Sequence, residues 1–131
     1  MIGLDANILV RYLTQDDAIQ AAQATDLIEH RLTADEPGFI SVVAMAEIVW
    51  VLRRHYRFGR EKLADALELM LAADTLMVER EREIFLATTA LREGHGEFAD
   101  ALIGALSKAA GCSVVLTFDR RAARWPGFEL P

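Results

Sequence analysis

The chain has 131 residues, a hydrophobic share of 53%, a charged share of 26% and a formal net charge of −6. These values exclude intrinsic disorder and predict one globular domain that spans residues 1–131. Proteins that hold nucleic acid by bulk charge are usually basic. Any contact of this acidic chain with nucleic acid is therefore expected to be local or assisted by a metal ion.

The predicted elements begin with a strand, an acid and a helix. Met1–Leu4 suits a buried strand, Asp5 ends it, and Ile8–Leu13 supplies the apolar face of a helix. Open α/β sheets carry their ligand sites at the carboxyl ends of the strands, which draws attention to Asp5. Asn7 either orients a carboxylate or a water molecule there, or caps the helix.

The remaining chain alternates helices with strands. Helices are predicted over residues 18–31, 42–56, 60–73, 81–93 and 98–110, and strands over 39–41, 76–78, 113–118 and 128–130, with a helical turn at 119–124. Ser41 is expected to cap the helix that follows it. The apolar, β-branched run Ser113–Phe118 is expected to be buried on both faces. This alternation predicts the α/β class with a mainly parallel sheet.

Two features predict the cellular setting. Asp5 interrupts the first apolar run, so no signal peptide pattern opens the chain, and no uncharged run approaches the ~20 residues that span a bilayer. The single cysteine, Cys112, cannot form an internal disulfide and is expected to be a small core residue. We therefore expect a soluble protein of the cytoplasm with no membrane partner.

Glu47 is the most informative acid of the chain. Five apolar or small residues flank it on each side, in Val42–Ala46 and Ile48–Leu52. So apolar a helix is expected to be largely buried, and a buried carboxylate needs a partner or a metal ion. A salt bridge to an arginine, or a helix edge that faces water, are the structural alternatives.

Three further acids have similar settings. Asp119 ends an apolar run as Asp5 does, and either residue can alternatively cap a helix. Asp100 opens a helix on a different side from its apolar stripe, where the helix dipole also favours an acid. Carboxylates that cluster at one sheet edge repel each other unless a cation or protons are bound. Such an all-oxygen site suits Mg²⁺ or Mn²⁺ rather than zinc. Thr117 can hydrogen-bond to these carboxylates from the strand end.

These motifs together resemble the PIN-domain family, and within it the VapC-type toxins of prokaryotic toxin–antitoxin pairs. The resemblance covers nearly the whole chain and rests on Asp5-Ala-Asn7, Ser41 with Glu47, Phe98-Ala-Asp-Ala-Leu102, Leu116-Thr-Phe-Asp119, Arg121-Ala-Ala-Arg124 and Pro126–Leu130. It implies an α/β/α sandwich around a mainly parallel sheet. It also implies an Mg²⁺- or Mn²⁺-dependent ribonuclease.

Carried over by position, the acidic cluster of the family is Asp5, Glu47, Asp100 and Asp119, with Asp5, Asp100 and Asp119 as metal ligands. Many relatives carry an aspartate where this chain has Glu97, whose longer side chain reaches the same place. Many also carry an acid where this chain has Arg121, so the sequence does not decide whether the site binds one metal ion or two. The resemblance further implies a homodimer and a small antitoxin whose C-terminal segment covers the site.

The implied mechanism is metal-assisted hydrolysis of a phosphodiester bond, in which a metal-bound water attacks in line and leaves a 5′-phosphate. Two basic runs offer a local grip on RNA, although either can simply be a solvated helix end. The first includes Arg53 and Arg54, and the second includes Arg120, Arg121 and Arg124.

Other readings stay open at this point. A non-catalytic PIN-like module that binds RNA or protein has the same sequence features. A phospho-accepting receiver domain has a similar size and similar acids, but it needs a lysine at the end of a late strand. The only lysines, Lys62 and Lys108, fall on predicted helices. Metal-assisted hydrolysis also serves DNA as well as RNA.

Overall fold

A computed structural model describes all residues from Met1 to Pro131. The chain forms two compact units, Met1–Glu81 and Arg82–Pro131. None of the helices combines the length and the apolar character that a membrane span requires.

The first unit contains a three-stranded parallel sheet in the order β1-β2-β3. Its strands are β1 (Ile2–Gly3), β2 (Gly38–Ile40) and β3 (Leu76–Val78). In the register of the sheet, Gly38 lies opposite both Ile2 and Leu76. A Cβ at Gly38 would lie 2.5 Å from Leu4 Cδ1, so a larger residue would force the core apart at this point. Because the strands are parallel, their carboxyl ends share one edge.

Four α-helices lie wholly in the first unit: α1 (Ala6–Thr14), α2 (Ala18–Asp26), α3 (Val42–Arg54) and α4 (Arg60–Ala72). Leu27–Arg31 continues α2 as a π-helical turn. The helix α1 contacts both α2 and α3. The largest fully buried side chains of this unit are aliphatic: Leu9, Ile40, Met45, Ile48, Leu52, Leu63, Leu67 and Met70. Full burial of each such side chain contributes about 1.5–3 kcal/mol, which makes these residues the main source of stability.

The second unit is smaller and carries a pair of parallel strands. Its elements are α5 (Glu81–Arg92), which begins at the last residue of the first unit, α6 (Phe98–Ala109), β4 (Val115–Leu116), a 3₁₀ turn (Ala122–Arg124) and β5 (Phe128–Glu129). Ile84, Leu91 and Phe98 are buried. Thr88 is also buried, and its hydroxyl donates to the Ile84 carbonyl at 2.8 Å, which removes the penalty of an unpaired polar group.

The predicted α/β class with parallel strands is confirmed, and each predicted helix is present to within a few residues except that residues 27–31 are π-helical. Ser41 caps α3 as expected, since its Oγ accepts from the Ala44 N–H at 3.1 Å. Gly111, at φ 93°, lies just beyond α6 and adopts the left-handed conformation expected there.

Several predictions of burial are wrong. Met1–Leu4 was expected to form a buried strand, but both residues of β1 are exposed and only Leu4 of that run is buried. Only Val115–Leu116 of the run 113–118 forms a strand, and Leu116 and Phe118 are 60% and 90% exposed. The strand pairs only with the short β5, so its β-branched composition does not place it inside a wide sheet. Cys112 is exposed rather than buried, because it lies in the turn that follows α6.

Candidate active site

Three polar residues follow the strands of the first unit at their common carboxyl edge. Asp5 follows β1, Ser41 follows β2 and Glu79 follows β3. Ser41 and Glu79 both serve the N-terminus of α3, since Glu79 Oε1 accepts from the Val42 N–H at 2.8 Å. Asp5 occupies the N-cap position of α1 but its side chain makes no capping hydrogen bond. The Asp5 carboxylate is therefore exposed and uncommitted, and its alternative role as a side-chain cap is not what the structure shows.

The role of Glu79 was missed in the sequence. The signal that selects Asp5 and Asp119, an acid directly after an apolar strand, also holds for Glu79 after Leu76–Val78. Glu79 was not selected because the charged residues Arg80 and Glu81 follow it, so that it resembles an ordinary solvent-facing acid. Structurally, Glu79 supplies a carboxylate to the positive end of the α3 dipole, where an anion is stabilising.

Glu47 does not lie in a buried environment, so that part of its interpretation is wrong. It is exposed on α3, on the same side as Val43 and Trp50, which are 77% and 54% exposed. The helix buries the opposite face, through residues such as Met45 and Ile48. Because apolar residues occupy both faces of α3, a count of apolar neighbours could not reveal which face Glu47 takes. Of the two structural alternatives for Glu47, its exposure matches a helix edge that faces water.

The second unit brings three of the predicted acids together. Asp100 lies in the first turn of α6, and burial raises the pKa of its carboxyl, with the charges of Asp119 and Glu97 raising it further. All three side chains line one cavity of about 910 Å³. Neither Asp100 nor Asp119 has a basic partner. Repulsion between carboxylates in a partly desolvated place raises their preference for a proton or a cation.

Local backbone contacts hold Asp119 in place. Its Oδ1 accepts from the N–H groups of Arg121 at 2.8 Å and Ala122 at 3.3 Å, so one carboxylate oxygen caps the 3₁₀ turn. The Asp119 N–H in turn donates to Thr117 Oγ1 at 3.0 Å. The Thr117 hydroxyl therefore contacts the main chain of Asp119 rather than a carboxylate, which differs from the prediction, and it positions the turn. The second carboxylate oxygen, Oδ2, has no protein partner and is available to a ligand.

The same cavity also carries cations. Lys108, Arg121 and Arg124 line it, and none of them forms an ion pair. Part of its wall is apolar, and a Cβ at Gly104 would lie 2.9 Å from Phe128 Cε2, so the close approach of α6 to β5 requires glycine. Asp100 and Asp119, which have no basic partner, thus share one cavity with cations that form no ion pair.

The other predicted basic residues are placed differently. In the first unit, Arg53 Nη1 donates to the Phe58 carbonyl at 3.0 Å and so holds the turn between α3 and α4. Arg54 is exposed near the end of the same helix, and Arg120 is exposed before the 3₁₀ turn of the second unit. The side chain of Asn7, in the first turn of α1, is also exposed. Their roles in binding stay predictions.

The acids of the cavity have the chemistry that Mg²⁺ and Mn²⁺ prefer. Carboxylate oxygens from Glu97, Asp100 and Asp119 are hard ligands, and no histidine or cysteine is needed. No group of three or more His, Cys, Asp or Glu side chains is placed to hold an ion by itself. Mg²⁺ characteristically uses one or two carboxylates and completes its shell with water and phosphate. Asp100 and Asp119 supply two carboxylates to the same cavity.

Comparison with known proteins supplies the family. A family model described as PIN domain matches residues 2–127, which leaves out only the first residue and the last four. A search of curated proteins found no match. PIN domains are metal-dependent nucleases that generally use Mg²⁺ or Mn²⁺, and the observed α/β class with parallel strands is consistent with their α/β/α fold. On the extent of this match, the chain belongs to the PIN domain family.

Proposed function

We propose that this PIN domain is an Mg²⁺- or Mn²⁺-dependent endoribonuclease and the toxin of a toxin–antitoxin pair. One observation carries the nuclease assignment: Asp100 and Asp119 lie near each other without a basic partner, and the pKa of Asp100 is raised. Structural acids are normally satisfied by donors or bases, whereas Asp100 has neither and Asp119 has donors at only one of its carboxylate oxygens. A pair left in mutual repulsion is instead expected where a bound cation supplies the missing positive charge.

In this proposal Asp5, Asp100 and Asp119 are the metal ligands and Glu47 completes the acidic set. Asp119 is held by Thr117 and by its own turn, and Asp5 has an uncommitted carboxylate. The second unit supports the roles of Asp100 and Asp119 directly through their shared cavity. The roles of Asp5 and Glu47 rest on the resemblance of their motifs to the family.

The bound metal would supply a water of lowered pKa and neutralise charge on the scissile phosphate. The protein's own contribution is orientation and charge. Arg121 and Arg124, which have no acidic partner, can each donate two parallel hydrogen bonds to a phosphate. Glu97 adds negative charge beside Asp100 and so strengthens the preference of the site for a cation. These local charges allow a chain of net charge −6 to hold an anionic substrate.

RNA as substrate, the antitoxin partner, the homodimer and the cytoplasmic location rest on the resemblance to VapC-type toxins. The acidic character of the chain agrees with a substrate that is held locally rather than along a basic surface. The receiver-domain reading is set aside because the chain belongs to the PIN domain family.

A non-catalytic PIN-like module that binds RNA or protein is the second candidate. The observation that favours it is the absence of three acids placed to share a metal ion. The two candidates differ in whether the acids are needed for a chemical change in RNA, which is directly measurable.

The deciding experiment is induction of the wild type, Asp5→Asn and Asp100→Asn in a bacterial host that has no partner protein, followed by mapping of new RNA 5′-phosphate ends across the transcriptome. We expect new ends with the wild type alone, and their sequence context would identify the target. Equal profiles from all three folded proteins would contradict the nuclease proposal and favour the binding module.

A further inference from the structure

The cavity of the second unit contains one partly exposed aromatic side chain, Trp125. It lies among the cavity-lining residues together with Arg121, Arg124 and the acids Asp100 and Asp119. The other aromatic residue of the wall, Phe128, is buried and packs against Gly104. Apart from the exposed imidazole of His95, Trp125 is therefore the aromatic surface that this cavity presents to a ligand.

The indole of Trp125 is held firmly by its neighbours. The His95 ring meets it edge to face, with centroids 6.3 Å apart and an interplanar angle of 80°. Gly96, at φ 153°, lets the backbone approach so closely that a Cβ there would lie 2.5 Å from Trp125 Cζ2. The backbone N–H of Trp125 donates to the Ala122 carbonyl at 2.9 Å, which fixes the main chain that carries the ring. A ring fixed in this way loses little conformational freedom when a ligand stacks on it.

The polar edge of Trp125 is free. Its Nε1 makes no hydrogen bond in the protein, and no buried side-chain nitrogen or oxygen lacks a partner. The Nε1 atom is therefore accessible to solvent. Structural tryptophans that are partly buried usually pair this N–H, so an unpaired one beside a cavity is available to a ligand oxygen.

The surrounding charges indicate what kind of ligand fits. Arg121 and Arg124 supply positive charge without an acidic partner, and Asp100 and Asp119 mark the proposed reaction centre. A flat aromatic platform next to unpaired arginines is the combination that binds single-stranded nucleic acid, with a base on the ring and phosphates on the cations. Bases within a duplex are already stacked and cannot lie on a side chain.

We propose that Trp125 is the base-stacking residue of the site and holds the base of a nucleotide next to the scissile phosphate. The inference rests on the proposed nuclease function and adds to it the residue that contacts a base. His95 and Gly96 act as positioning residues, because they hold the indole and do not themselves stack on the base.

Trp50 provides a matched control. The chain has only two tryptophans, and Trp50 is also partly exposed and also meets a histidine edge to face, with a centroid distance of 5.5 Å to His55. It belongs to the first unit and is not among the residues that line the cavity. In Trp50→Phe, moreover, all tryptophan fluorescence comes from Trp125.

The test uses Asp100→Asn, which cannot cleave under the proposal, and a pool of single-stranded RNA 20-mers of randomised sequence. Trp125 fluorescence in Asp100→Asn/Trp50→Phe should be quenched by the pool and unaffected by blunt duplex RNA of the same length. Asp100→Asn/Trp125→Ala should bind the pool roughly ten- to a hundredfold more weakly than Asp100→Asn/Trp50→Phe, as expected for loss of one stacked base. Trp125→Phe should lose less, because it keeps a ring.

Each outcome has one meaning. Binding of the pool without quenching of Trp125 would overturn the stacking role and leave the nuclease proposal standing. Equal affinities of Asp100→Asn/Trp125→Ala and Asp100→Asn/Trp50→Phe for the pool would do the same. Quenching by duplex RNA as strong as by the single strand would also overturn the stacking role, because bases within a duplex cannot lie on a side chain. Failure of the Asp100→Asn protein to bind any RNA would overturn the proposed RNA substrate, and the stacking role with it.

Discussion

Two aspartates, one in each unit, illustrate opposite uses of a carboxylate. In the first unit, Asp16 accepts hydrogen bonds from Tyr56 OH at 2.6 Å, Thr14 Oγ1 at 2.9 Å and Arg11 Nη1 at 3.1 Å. The hydrogen bond from Tyr56 is the largest cause of its lowered pKa, followed by that from Thr14. Asp16 is stabilised as an anion by its own structure and needs no ligand.

Asp100 in the second unit has the reverse environment. Burial is the largest cause of its raised pKa, and the neighbouring charges of Asp119 and Glu97 add to it. No base or hydroxyl offsets these effects. In the sequence, Asp16 looks like an ordinary solvent-facing acid and Asp100 like an ordinary first-turn acid. The hydrogen-bond donors and charges around each carboxylate in the folded protein therefore indicate its role better than its sequence neighbours do.

The largest expected effect of this difference is on activity. Asp100→Asn should reduce RNA cleavage by more than ~100-fold, because loss of even an outer partner of a metal ligand reduces activity by roughly 10–100-fold. Asp16→Asn should leave cleavage within a few-fold of wild type while lowering the Tm. Cleavage of the RNA target found by 5′-end mapping measures both. Similar losses in the two variants would remove the functional distinction between the acids.

The next effect is stabilisation by metal. Mg²⁺ at a hundredfold excess over its Kd should stabilise the folded protein by about 2.7 kcal/mol through linkage. The resulting rise in Tm should persist in Asp16→Asn and largely disappear in Asp100→Asn, since only the latter removes a proposed ligand. Thermal unfolding with Mg²⁺ and with EDTA measures the shift. A full Mg²⁺-induced shift in Asp100→Asn would count against Asp100 as a ligand.

A smaller effect concerns two glycines, one in each unit. Gly104→Ala places a Cβ 2.9 Å from Phe128 Cε2 and should destabilise the protein by about 1–3 kcal/mol, as overpacking does. Gly3→Ala meets nothing within 4 Å and should change the free energy of unfolding by less than ~0.5 kcal/mol. Urea denaturation of both variants gives the two values. Equal destabilisation by Gly104→Ala and Gly3→Ala would mean that α6 and β5 move apart at little cost to accommodate the added Cβ.

The smallest effect is the pH dependence of the metal-free protein. The folded pKa of Asp100 lies above its unfolded value of about 3.9, so the native state takes up its proton first as the pH falls. Asp100 should therefore contribute increasing stability as the pH drops from above its raised pKa towards about 3.9. In EDTA, this component of the Tm profile should be absent from Asp100→Asn. If Asp100→Asn and the wild type had the same dependence of Tm on pH in EDTA, repulsion around Asp100 would not contribute to stability.

The contribution of Asp16 to stability should depend on pH in the opposite direction. Its folded pKa lies below the unfolded value, so its contribution to stability is complete above about 3.9 and is lost as the pH falls through the lowered pKa. Asp16→Asn should remove part of the loss of stability in acid. Retention of the full acid-side loss in that variant would assign it to other carboxylates.

Much of the fold was predictable because its signals are local. The apolar periodicity and the capping residues of α1 to α6 lie within each helix, and the strand at Leu76–Val78 is bounded by polar residues. Candidate acids at strand ends were equally visible, and Asp5 and Asp119 were selected on that basis. Asp100 was selected because it opens a helix on a different side from its apolar stripe. Glu47 was interpreted less well, because α3 carries apolar residues on both faces and composition does not tell which face is buried.

The sequence by itself determined the helices, the α/β class and the acidic residues of the second unit, since these depend on neighbours a few positions apart. Tertiary structure decided which polar groups are satisfied. Glu79 accepts a hydrogen bond from the N-terminus of α3, 37 residues away in sequence, and Tyr56 donates one to Asp16, 40 residues away. The charge of Asp119 raises the pKa of Asp100, and both residues line the cavity that Trp125 also lines. Hydrogen bonds and charge interactions act through space over a few ångströms, so their partners become known only when the chain is folded.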